Sequence, residues 1–213
     1  MKLFRLSLFF VIIIIAASWL SKTVTWKNNK AGVSPKKINK QFHDPSADKK
    51  LTEKVVLVKT FLRKKGYNNA ICFFIDMSLP SGQDRFFIYD LQNDSLKSRG
   101  LVAHGNCFEN WLEGRKYSNT VGSGCTSLGK YRIGAHYYGK FGYSYKLHGL
   151  ESSNNNAFER TVVLHAHRCI PEREVAEEIC QSNGCPTVAP GFLEQLKKII
   201  NTSKKPVMLW IYE

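Results

Sequence analysis

The chain has 213 residues, enough for one good-sized domain with extensions and too few for two. With 43% hydrophobic and 23% charged residues its composition is that of a globular protein, which excludes disorder throughout. The formal charge of +14 sits at one end: residues 1–65 hold 15 Lys/Arg against Asp44, Asp48 and Glu53, and the remainder is close to neutral. That segment reads either as an attachment to an anionic membrane or wall surface, or as a tether extended by like-charge repulsion. Nucleic acid is a poor fit as a partner, because the basic stretch follows an export signal.

The export signal is residues 1–20. Lys2 and Arg5 precede an apolar run, Leu6 to Leu20, interrupted only by Ser7 and Ser18, the pattern of a secretory signal. Ala16 and Ser18 suit a cleavage site. The run is shorter than the roughly 20 apolar residues of a bilayer span, so a cleaved signal and a retained inner-membrane anchor both stay open. The expected location is the periplasm or cell envelope. Residues 21–49 read as a basic linker, and residues 50–213 as the folded domain.

Leu51, Val55, Val58 and Leu62 recur at helical spacing, an amphipathic helix ending at Gly66. The period then shortens to two. Residues 70–77 and 85–89 read as strands, with turn signals at Leu79-Pro80-Ser81-Gly82 and Gln92-Asn93-Asp94-Ser95, and residues 101–103 as part of a third strand in a meander. Residues 116–147 are rich in Gly, Ser and Tyr and suggest strands, bulges and loops. Residues 161–165 form a β-branched strand, Pro190 opens a short helix to about Ile200, and residues 207–212 form a last strand. The fold class is mainly β with a few peripheral helices.

Six cysteines in an exported chain invite pairing. Cys169 with Cys180 and Cys107 with Cys125 are conceivable bridges, and the connectivity stays open. If one cysteine is a working nucleophile, at least one further thiol is free.

The chemistry-bearing pair is His165, near the end of its strand, and Cys185, twenty residues on in Ser182-Asn183-Gly184-Cys185-Pro186-Thr187. A cysteine nucleophile needs a base to take its proton and donors for the oxyanion formed on attack. Gly184 removes side-chain bulk beside the sulfur, so a substrate carbonyl can approach the backbone. The N–H of Cys185, with that of Gly184 or Asn183, is the candidate oxyanion donor. Pro186 has none to give.

Ser182-Asn183-Gly184-Cys185 with the upstream His165 resembles the Ser-x-Gly-Cys core of the L,D-transpeptidase (YkuD-type) catalytic domain. His104-Gly105, Tyr117-Ser118-Asn119, Ser127-Leu128-Gly129, Tyr138-Gly139-Lys140-Phe141-Gly142-Tyr143, Leu147-His148-Gly149-Leu150-Glu151 and Asn156-Ala157 with Arg160 follow in the order of its murein L,D-transpeptidase branch. The resemblance covers roughly residues 50–213 and implies a β-sandwich-like domain acting on peptidoglycan stem peptides. It implies Cys185 as nucleophile, His165 as base, and the backbone at Gly184 as oxyanion support, with His104, Asn119, Arg160 and Ser182 lining the site. It implies no cofactor and no metal. The thioester formed on Cys185 passes to an acceptor amine in transpeptidation or to water in L,D-carboxypeptidation. The better-known branch has an Arg two residues after its Cys; here that position is Thr187, so a substrate carboxylate must meet another cation such as Arg160 or Arg168.

Two rivals remain. His165, His167 and Cys169 at i, i+2 and i+4 share a face of a regular strand, and with Cys180 or Cys185 they resemble a mixed zinc set, though without the tight C-x-x-C or H-x-x-x-H spacing. The other rival is a non-catalytic wall-binding module.

Overall fold

A computed structural model describes residues 45–213; the expected signal or anchor and most of the basic linker lie outside the described residues. Helix α1, Pro45–Lys65, begins inside the stretch expected as linker. Its buried stripe is Leu51, Val55, Val58 and Leu62, while Val56 and Leu57 face solvent. Gly66, at φ +70°, stops it in the left-handed conformation that glycine adopts without cost. Among the described residues no helix is long and apolar enough to cross a membrane.

Nine strands follow: β1 Ile71–Asp76, β2 Phe86–Asp90, β3 Ser95–Gly100, β4 Val102–Ala103, β5 Gly129–Gly139, β6 Gly142–Gly149, β7 Val163–Ala166, β8 Thr187–Val188 and β9 Met208–Tyr212. Helix α2, Pro190–Thr202, lies between β8 and β9. The strands form one sheet in the order β3-β2-β1-β9-β5-β6-β7-β8-β4. Its two end strands, β3 and β4, are separated in the chain by Leu101 alone, so the sheet must curl until its edges meet. The meander is therefore β1-β2-β3, and the expected third strand at 101–103 belongs to the opposite end of the sheet, paired with β8. Strand β3 escapes the sequence pattern because Ser95, Lys97, Ser98 and Arg99 give it almost no apolar alternation.

Period-two alternation distributes side chains between two cores. Phe73 and Ile75 of β1 point into the curl with Phe86, Tyr131, Tyr145, Leu164, Leu209 and the Phe192, Leu193 and Leu196 face of α2. Cys72 and Phe74 point outward, where α1 covers them with Met208, Trp210 and Tyr212. Burying each large apolar side chain of that stripe stabilises the fold by roughly 1.5–3 kcal/mol. The site lies at the far end of the sheet, around β7, β8 and the β5–β6 hairpin.

Candidate active site

Strands β7 and β8 run parallel, with His165 opposite Thr187. Residues at matched register project to the same face, so the ring and the hydroxyl meet: Nε2 of His165 is 3.0 Å from Oγ1 of Thr187. Nδ1 lies 3.1 Å from the carbonyl of Ala166. A carbonyl only accepts, so Nδ1 carries the hydrogen and Nε2 presents its lone pair. Phe141, at the tip of the β5–β6 hairpin, stacks on the imidazole with ring centroids 4.3 Å apart. His165 is 4% exposed. Burial holds its pKa below the ordinary histidine value, the Ala166 carbonyl opposing and His167 reinforcing the shift.

Cys185 faces the same cavity of about 450 Å³, which Arg160, Ser182 and Thr187 also line. Its Sγ is 3.5 Å from the N–H of Val163 and 3.9 Å from the carbonyl of Thr161. Thr161 adopts φ +55°, an uncommon conformation for a β-branched residue, at the point where its carbonyl meets the sulfur. Burial raises the thiol pKa, and the Val163 N–H and the Arg160 guanidinium oppose it. Both shifts leave a thiol and a neutral imidazole at neutral pH, facing one cavity.

The turn before the sulfur is held from within. Ser182 Oγ donates to the carbonyl of Cys185 at 2.7 Å and accepts the N–H of Gly184 at 3.2 Å. The N–H of Gly184 is thereby engaged, while that of Cys185 carries no hydrogen bond among the described residues. Gly184 sits at φ +102°, and a Cβ there would stand 2.7 Å from the carbonyl oxygen of Cys125. That carbonyl belongs to a loop tied by the Cys107–Cys125 disulfide. Cys169 and Cys180 form the second disulfide, so both conceivable bridges occur, and Cys72, buried in the outer core, is the further free thiol.

Of the residues expected to line the site, Arg160 and Ser182 do so. Arg160 also pins the neighbouring loop, donating to the carbonyls of Ser118 and Cys125 and to Ser123 Oγ. His104 and Asn119 do not line the cavity. The His104 ring is 1% exposed and lies with Nδ1 3.0 Å from Nη2 of Arg85, while its backbone carbonyl accepts the N–H of Ser182 at 2.8 Å. Asn119 joins two loops, donating to Ser152 O and Asn155 Oδ1 and receiving Asn156 Nδ2 on its carbonyl. Both scaffold the wall from behind. The sequence reading gave no role to Phe141, whose signal was its place between Gly139 and Gly142 at a hairpin tip. Thr187 was visible only as a departure from the family pattern.

Strand β7 ends at Ala166, so His167 and Cys169 leave the face that His165 occupies. Among the described residues the metal-ligand atoms that converge are those of His167, Cys169 and Cys180, without His165 or Cys185. A second cavity of about 560 Å³, lined by Ala166, Arg168 and Pro190, shares Lys140, Phe141 and His167 with the first.

The family model of the L,D-transpeptidase catalytic domain matches residues 43–212, nearly all of the described structure. The chain belongs to the L,D-transpeptidase catalytic-domain family. Solved structures similar to it include an L,D-transpeptidase from Mycobacterium smegmatis, at 8% identity and TM-score 0.40 over 68% of this chain and 59% of that one. Another is the helical cell shape determining protein of Campylobacter jejuni, at 11% and 0.44 over 69% and 48%. A third is an L,D-transpeptidase from Xylanimonas cellulosilytica, at 12% and 0.39 over 72% and 68%. The match thus covers less than two thirds of the first two structures. No curated protein matches the chain in sequence.

Proposed function

We propose that this domain is a cysteine acyltransferase of peptidoglycan, with Cys185 as nucleophile and His165 as base. The family acts on peptidoglycan stem peptides. The observation that carries the reading is that a free sulfur and a neutral, rigidly held imidazole open onto one cavity.

In the proposed sequence the thiol proton passes to Nε2 of His165 as the sulfur attacks the peptide carbonyl. The Thr187 hydroxyl occupies Nε2 in the ligand-free site and yields it when substrate closes the sulfur–imidazole contact, since catalytic hydrogen bonds tighten in the substrate complex. The unengaged N–H of Cys185 receives the oxyanion. The imidazolium then protonates the leaving amine of a D-amino acid, and the acyl group remains as a thioester. An acceptor amine resolves it as a cross-link, with His165 again removing the proton. Arg160 and the nearby Lys140 supply cationic charge for a stem carboxylate.

The second cavity, which shares Lys140, Phe141 and His167 with the one that Cys185 faces, gives an acceptor peptide room beside the donor and favours an amine acceptor over water. The basic segment 21–49 and the signal at 1–20 would deliver the domain to the envelope and hold it near an anionic surface. The test is incubation of sacculi with wild type and with Cys185→Ala, followed by muropeptide analysis and by mass spectrometry after carbapenem treatment. New cross-links and a covalent adduct on Cys185, both absent in the variant, are expected. Shortened stems without cross-links would assign carboxypeptidation, and no change at all would leave a wall-binding module.

A further inference from the structure

The Cys169–Cys180 disulfide lies in the wall of the cavity that Cys185 faces, with His167 beside it. His167 Nδ1, Cys169 Sγ and Cys180 Sγ lie within 4.8 Å of one another. Nδ1 accepts the backbone N–H of Cys169 at 3.2 Å, so it holds a lone pair and the ring hydrogen sits on Nε2. The same nitrogen is 2.9 Å from Cys169 Sγ. Since the sulfur in a disulfide has no proton to donate, the contact sets an imidazole lone pair against it. The proposed acyl transfer makes no use of this histidine.

A disulfide sulfur is a poor metal ligand and a thiolate a strong one. Two thiolates and an imidazole are a donor set that suits Zn²⁺. In a tetrahedral site with Zn–S about 2.3 Å and Zn–N about 2.0–2.1 Å, the sulfurs stand about 3.8 Å apart and each about 3.6 Å from the nitrogen. His167 and Cys169 are exposed and Cys180 is half-buried, so the side chains have room to rotate into that geometry.

We propose that reduction of Cys169–Cys180 creates a site for a thiophilic divalent cation, with His167 Nδ1, Cys169 Sγ and Cys180 Sγ as ligands and the fourth position open to the cavity. A dithiol reductant supplies the two electrons and two protons, becoming a disulfide itself, and Cys169 and Cys180 become thiols. On binding, each thiol loses its proton to solvent, so two protons leave per cation taken up. The bound cation stands in the wall of the cavity and blocks access to Cys185. That consequence rests on the acyltransferase reading; the binding does not.

The test separates the two. Cys185→Ala protein is reduced with a phosphine, the phosphine is removed, and Co²⁺ is titrated in as the probe. Thiolate-to-cobalt charge-transfer absorption saturating at one Co²⁺ per chain is expected, with Cys169 and Cys180 protected from alkylation in mass-spectrometric mapping. His167→Ala, at an exposed position, is expected to weaken binding at least tenfold. No absorption in the reduced protein, protection at Cys107 and Cys125 instead, equal binding by His167→Ala, or equal binding by the oxidised protein would each overturn the proposal. With Cys185 intact, Zn²⁺ is expected to stop carbapenem acylation of the reduced protein only. Unchanged acylation would overturn the blocking and leave the site standing.

Discussion

The hydroxyl of Thr187 rests 3.0 Å from Nε2 of His165, on the side where the imidazole keeps its lone pair. The contact holds the ring from one edge while the Ala166 carbonyl holds it from the other, so Nε2, the nitrogen proposed as base, has a fixed position. Thr187→Val keeps the shape and removes the hydroxyl, so the ring gains freedom about its Cβ–Cγ bond. Acylation of Cys185 by a carbapenem is expected to slow roughly tenfold with little change in half-saturation, as stopped-flow or timed mass spectrometry would read. An unchanged rate would remove Thr187 from the mechanism.

The same position explains the missing arginine. Thr187 is 3% exposed and sits between β7 and β4 in the sheet. Thr187→Arg must drive a long side chain from this buried position into the cavity beside His165, where none of the lining residues is acidic. We expect a loss of at least about 3 kcal/mol in denaturant unfolding, and the arginine would not restore substrate binding.

A thiol with a neutral imidazole behaves differently from a preformed thiolate–imidazolium pair. Burial raises the Cys185 pKa and lowers that of His165. The acid limb of acylation should therefore lie below pH 6.5, where the imidazole becomes protonated, and the alkylation midpoint of Cys185 should lie above the ordinary cysteine value. Arg160→Met should move that midpoint higher still, since it removes a cation beside the sulfur. Alkylation that is fast and flat from pH 5 upward would contradict the neutral pair.

Gly184 combines φ +102° with a backbone carbonyl where a Cβ would stand. Gly184→Ala must displace either the Cys125 loop or the turn that carries the sulfur. A destabilisation of about 2–3 kcal/mol is expected, with loss of acylation larger than stability explains. Equal thermal unfolding of variant and wild type would show that the turn tolerates a side chain.

His104 titrates against the fold. Burial, then Arg85 and Arg115, push its pKa down to about 4. In the unfolded chain an ordinary histidine binds its proton near pH 6.5, so between about pH 6.5 and 4 the unfolded state holds more protons. Stability therefore falls as the pH falls through that window, by up to about 3 kcal/mol from this group, and His165 acts in the same direction. His104→Gln keeps an acceptor for Arg85 without titrating. Urea unfolding at pH 7.5 and 4.5 should show wild type losing about 2 kcal/mol more than the variant.

Much of this was legible along the chain. The Leu51, Val55, Val58 and Leu62 stripe and the two-residue period of β1 are local patterns, since a helix or strand face is written in its own spacing. Gly184 was legible as a position beside the sulfur that takes no side chain, whereas the Ser182 hydroxyl holding that turn was not. Strand β3 was not, since polar residues hide its pairing, and neither were the positions of His104 and Asn119.

By itself the sequence determined the family, the mainly β class and the outer helix, and it singled out Cys185 and His165 as the pair proposed to carry chemistry. Only the tertiary structure decided that β7 and β8 lie in parallel with His165 against Thr187, that Phe141 covers the ring, and that His167 joins a disulfide at the cavity wall. The physical reason is register. A residue's face within its own strand follows from a two-residue period, but the partner it meets depends on how distant strands align, and that is set by the packing of the whole sheet.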